Sequence, residues 1–169
     1  MSCGTPTISV VEAEFTRPAN TTNYDTTDLV ANSTTAGLVE PMEFEVNTGY
    51  GRGFEVVGVK VRKSGTGVTG ATFSIYLYVS SPVSAAGDGA TFSTDAANFL
   101  GKITLPAMTA FTDDAQAVIY DGAFTGGYNA IKGYLRSTNI IYGLLRAEDN
   151  YTDEASAEEF TVSLTLKQY

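Results

Sequence analysis

The residues Phe160-Thr-Val-Ser-Leu-Thr-Leu-Lys167 alternate without a break. Phe160, Val162, Leu164 and Leu166 share one face, and Thr161, Ser163, Thr165 and Lys167 share the other. Successive side chains of a strand point to opposite faces, so a period of two marks a strand with one face in a core and the other in water. The same alternation sets Met42, Phe44 and Val46 against Glu43 and Glu45, and Phe73, Ile75, Leu77 and Val79 against Ser74, Tyr76 and Tyr78. It also sets Phe99, Gly101, Ile103 and Leu105 against Lys102 and Thr104. Further strands are expected near Ile8–Phe15, Phe54–Arg62, Ala117–Tyr120, Lys132–Arg136 and Ile140–Ala147.

One strand changes phase. Phe54 and Val56 fit one register, whereas Val57, Val59 and Val61 fit the other. An extra residue re-aims every side chain after it, so a β-bulge is predicted near Val56–Gly58. Helix signals are weak. Ser156-Ala-Glu-Glu159 has the spacing of a capping box, but the Phe160 strand follows at once, which leaves the acidic stretch Glu148–Glu159 a turn or two of helix at most. Eight to ten strands with Gly-rich turns predict an all-β fold, an antiparallel β-sandwich. A jelly roll is the first choice of topology and an immunoglobulin-like arrangement the second. The 169 residues are expected to form one domain, with residues 1–7 as a flexible N-terminal tail. The two long connections, Thr16–Pro41 and Ser80–Asn98, are rich in small polar residues, and loops of that length are functional or disordered more often than not.

Charge narrows the partners. With 10 basic and 19 acidic residues the net charge is −9, which disfavours nucleic acid and anionic lipid, because both are held by Lys and Arg. No apolar run reaches the length of a membrane-spanning helix; the longest, Ile140-Ile141-Tyr142-Gly143-Leu144-Leu145, has the length of a strand. Cys3 is the single cysteine and excludes an internal disulfide. No signal peptide is evident, so synthesis inside the cell is expected, and the sequons at Asn20, Asn32 and Asn150 read as Thr/Asn-rich loops.

Histidine is absent, which removes the usual general base and the commonest zinc ligand. The carboxylate pairs Glu12/Glu14, Glu43/Glu45, Asp113/Asp114 and Glu148/Asp149 read as solvated surface, with no apolar surroundings of the kind that raise a catalytic pKa. Gly65-Thr-Gly-Val-Thr-Gly70 matches G-x-G-x-x-G, but a strand rather than a helix follows it, so it reads as a hairpin connection. Asp149-Asn-Tyr-Thr-Asp-Glu154 gathers oxygen ligands without the spacing or the glycine of an EF-hand. No catalytic residue, cofactor or metal site is therefore assigned. The candidate interface is Tyr76 and Tyr78, on the polar face of their strand, with Lys60, Arg62 and Lys63, the one dense basic group. Tyrosines are favoured at interfaces, and the alternative is that a long loop or second sheet covers them. The basic group could guard a sheet edge or meet an acidic patch on a partner.

The segments TISVVEAEFTRPANTTNY, DLVANSTTAG, VVGVKVRKSGTGVTGATFSIYLYVSSP, AANFLGKITL and NIIYGLLRAEDNY resemble the head decoration, or cement, proteins of tailed bacteriophages, through most of the chain. The stretch DEASAEEF matches the pattern only loosely. The resemblance implies an all-β module on the capsid exterior that clamps neighbouring major capsid subunits and associates with itself as a trimer or dimer. It carries no site residues. The competing reading is a carbohydrate- or receptor-binding jelly roll of a head fibre or tail.

Overall fold

The computed structural model describes residues 6–46, 53–120, 131–135, 138–152 and 156–169. The strands are β1 (Thr7–Thr16), β2 (Leu29–Val30), β3 (Met42–Glu45), β4 (Gly53–Ser64), β5 (Phe73–Tyr78), β6 (Phe99–Thr104), β7 (Thr109–Ala110), β8 (Asp114–Tyr120), β9 (Ile131–Tyr134), β10 (Ile140–Ala147) and β11 (Glu159–Gln168). They build two antiparallel sheets. The six-stranded sheet runs β1-β11-β4-β8-β7, with β9 on the first part of β4; the five-stranded sheet runs β2-β10-β5-β6, with β3 beside β2 on β10. Their inner faces meet in a core that includes Phe44, Phe54, Val59, Val61, Phe73, Ile75, Leu77, Ile141, Leu145, Phe160, Val162, Leu164 and Leu166. An all-β sandwich is therefore the fold, as the alternation predicted.

The phase change in β4 is a bulge. Thr165 of β11 faces Gly58 and Leu166 faces Val56, so Val57 is the extra residue. Phe54 and Val56 before it, and Val59 and Val61 after it, all reach the core. The corrected phase also carries Lys63 inward, in line with Val59 and Val61. β6 holds a second irregularity that its alternation hid: Leu77 of β5 faces Gly101, but Tyr78 faces Phe99. Leu100 is the extra residue and packs against the core. Phe99 is thereby turned outward, against its expected place beside Gly101 and Ile103, and packs on Tyr76 and Tyr78.

The two-residue strands β2 and β7 are too short to show a period, and neither was expected. No helix forms among the described residues of the acidic stretch; residues 153–155 lie outside them. Most of the expected N-terminal tail, residues 1–5, also lies outside, as does Arg136 at the end of its expected strand. Thr7 already belongs to β1, opposite Gln168.

Both long connections are anchored to the sheets. A second apolar cluster, on the far face of the five-stranded sheet, joins Tyr78, Tyr142 and Leu144 to Leu29, Ala31, Val39 and Ala86, with Phe92 packed against it. Main-chain bonds from Leu29 to Ala90 and from Ala85 to Ser93 hold these loops to each other and to themselves. Gly87 shows how close they come: a Cβ there would lie 2.1 Å from the Thr34 carbonyl oxygen.

Candidate interaction surface

The five residues singled out from the sequence do not form one surface. Tyr78 is 2% exposed, and its hydroxyl is 2.7 Å from that of Thr94 in the long loop. Tyr76 is half-buried, its ring 4.4 Å from Phe92 and 5.8 Å from Phe99, with the Arg146 guanidinium 5.1 Å from its centre. Burial raises the pKa of both phenols. The covering loop is therefore what the tyrosine-bearing face serves. The edge-guard reading of the basic group also fails, because β4 lies inside its sheet between β11 and β8. Lys63 is fully buried, and Arg62 lies outside with its Nε 2.5 Å from Asp114. Lys60 is half-buried on the same outer face, opposite Ser163 and Val118.

Lys63 belongs to a buried ionic cluster that ties the loops at one end of the sandwich. Its Nζ is 2.9 Å from Glu158 Oε1, and Tyr151 donates its hydroxyl to Glu158 Oε2. Arg17 reaches Glu158 at 3.9 Å and Asp88 at 3.4 Å. Asp88 also accepts from the Tyr24 hydroxyl at 2.6 Å and from the Ala31 amide at 2.9 Å. Tyr24 and Tyr151 stack 5.7 Å apart, with Arg17 over the first ring and Lys63 over the second. Two cations thus balance two carboxylates. Burial, the largest cause, and the Asp88 charge together push the Tyr24 phenol far above its ordinary pKa. These groups are consumed in each other, so the arrangement serves cohesion. Sequence reading missed it because its members are spread from Arg17 to Glu158.

The exposed hydrophobic residues concentrate elsewhere. Ile8 and Val10 of β1, Val118 and Tyr120 of β8, Tyr134 of β9 and Tyr169 all lie at the outer face of the six-stranded sheet. Tyr120 and Tyr134 are 60% and 68% exposed. Each is seated beside a glycine of β4: a Cβ on Gly58 would meet Tyr120 Cδ1 at 2.8 Å, and one on Gly53 would meet Tyr134 Cε1 at 3.2 Å. The missing side chains let the rings settle against the sheet. Tyr169 donates to Glu55 at 2.6 Å, and Lys132 lies 3.5 Å from the same carboxylate. The Tyr169 hydroxyl, foremost among its influences, holds the Glu55 carboxyl below its usual pKa. Amphipathic rings seated on a sheet and exposed to solvent are what a docking face requires.

A groove opens at the edge where β1 and β3 end their respective sheets. Its cavity is about 690 Å³ and includes Phe15, Val39 and Met42 on its apolar side and Glu14, Glu40 and Glu43 on its polar side. No group of three metal-ligating side chains occurs among the described residues, although Asp153 and Glu154 of the acidic loop lie outside them. The Gly65–Gly70 segment joins two strands, as expected, but it is not a hairpin: β4 belongs to the six-stranded sheet and β5 to the five-stranded one, so the segment carries the chain from one sheet to the other.

No protein-family profile and no curated protein matches this chain. Among solved structures, a chain of the "Cyanophage Pam1 capsid asymmetric unit" aligns over 99% of this chain and 91% of its own length. The identity is 12% and the TM-score 0.36, a likeness too slight to decide fold or role.

Proposed function

We propose that this chain is a virion structural protein that decorates the exterior of a tailed-phage head and clamps neighbouring major capsid subunits. The outer face of the six-stranded sheet is its docking surface. The observation that carries the reading is the exposure of Tyr120 and Tyr134 in positions fixed by Gly58 and Gly53. The sequence resemblance supplies the partner. The strand order supports a jelly roll: the chain passes between the sheets so that β1-β11-β4-β8 faces β3-β10-β5-β6. Self-association as a trimer or dimer on a capsid symmetry axis fits the same role, and buried aromatics would anchor an interface of about 800 Å² per partner.

Co-sedimentation with purified capsids tests the docking face. Tyr120→Ala with Tyr134→Ala is expected to weaken binding at least tenfold while leaving thermal unfolding unchanged. Undiminished binding by the double variant would remove this face from the interface. Exposed tyrosine faces also stack sugars, so a glycan array is the companion experiment. A saccharide whose binding is lost in the same variant would replace the capsid reading with a receptor-binding one.

A further inference from the structure

We infer that the groove between β1 and β3 is a receptor for an extended basic strand of another protein, which adds to the free edge of β1. This inference concerns the β1 edge of the sheet, away from Tyr120 and Tyr134, and stands whether or not the partner is a capsid subunit. Among the described residues β1 is paired with β11 alone, over all ten of its residues, so no described strand takes up the backbone donors and acceptors on its other side. A strand laid there completes the ladder. Its side chains alternate, half turning toward the gap between the sheets and half outward.

What lines the gap defines the occupant. The inward set meets Ala13, Phe15 and Met42, which suit small or medium apolar groups. The outward set passes Ile8 and Val10 and then the carboxylates Glu12 and Glu14, all exposed along β1. Glu43 and Glu45 are exposed along β3 on the opposite face of the sandwich, and Glu40 and Glu43 form the far rim of the groove. Among the described residues no Lys or Arg lines the cavity, and none of these five carboxylates is ion-paired. Lysine or arginine at the outward positions of the added strand beside Glu12 and Glu14 matches the carboxylates of β1. A second copy of the chain paired antiparallel about Glu12–Glu14, the part of β1 that lines the groove, would set these carboxylates against each other, and like charges facing each other across strands are destabilising. The complementary partner is therefore a heterologous segment alternating apolar and basic residues.

The test uses the full chain and a capped ten-residue peptide alternating Val and Lys, with titration calorimetry and hydrogen exchange. Saturable binding is expected, with slowed exchange confined to amides of β1. Affinity should fall with added salt and fall about fivefold or more in Glu12→Gln with Glu14→Gln. N-methylating alternate residues along one edge of the peptide should abolish binding, because that edge can no longer pair. Equal binding of the N-methylated peptide, or of a Val/Glu peptide, would overturn the inference. So would a concentration-dependent dimer of the chain that protects the same β1 amides. Capsid binding by the tyrosine variants is read separately, so the two ideas fail independently.

Discussion

Replacing Lys63 by Met tests whether the buried ionic cluster holds the loops together. Lys63 and Glu158 are both fully buried, 2.9 Å apart. Removing one member of such a pair strands the other charge in a medium that solvates it poorly, at a cost of about 3–5 kcal/mol. Glu158 would keep Tyr151 and, at 3.9 Å, Arg17, which places the expected loss near the lower end, about 3 kcal/mol. For a chain of this length that corresponds to a fall in Tm of about 6–12 °C. Urea unfolding followed by circular dichroism reads the loss as a lower midpoint at unchanged slope. Replacing the set together, Lys63→Met with Glu158→Leu and Tyr151→Phe, should recover most of it, since an apolar substitute for a buried pair is often neutral. Arg62→Met, which breaks the exposed pair with Asp114, is the control and should cost no more than about 1 kcal/mol. A Lys63→Met loss as small as the control's would refute the reasoning.

Glycine substitutions should separate backbone strain from crowding. Gly37 and Gly70 both have positive φ, but a Cβ on Gly37 meets nothing within 4 Å, while one on Gly70 would lie 1.9 Å from the Asn150 carbonyl oxygen. Gly37→Ala should therefore cost about 1–2 kcal/mol, and Gly70→Ala a further 1–3 kcal/mol or more in the same urea assay. At alkaline pH, Tyr24 stays neutral in the folded chain while its unfolded counterpart ionises near pH 10.0. Its contribution is complete below that pH and declines above it, by about 1.4 kcal/mol per pH unit; Tyr24→Phe should lessen the slope measured by urea unfolding above pH 10. At acid pH, burial alone would raise the Glu148 pKa, but hydrogen bonds from Ser74 and Arg146 and the Arg146 charge together bring it below its ordinary value of 4.5. Its stabilisation is present above pH 4.5 and lost as pH falls through the lower folded value. Glu148→Gln should therefore flatten the acid limb of the unfolding profile.

The alternation of apolar and polar residues determined by itself that the chain is a two-layer β protein, because a period of two admits one buried face per strand. It located β4, β5, β10 and β11 closely and placed the β4 bulge, since a phase change along Phe54–Val61 has no other regular solution. The bulge near Leu100 stayed hidden because Phe99, Leu100 and Gly101 offer no comparable break between apolar and polar residues. Position within the sheets was decided by the tertiary structure. Lys63 looks like one of three surface cations until the fold supplies Glu158 from 95 residues away. Tyr78 looks like an exposed interface residue until the Ser80–Asn98 connection folds back over it. Tyr120 and Tyr134 become prominent only when pairing brings them beside Gly58 and Gly53. The local pattern tells each residue which side of its strand it occupies. What covers that side depends on distant segments, and no local pattern encodes it.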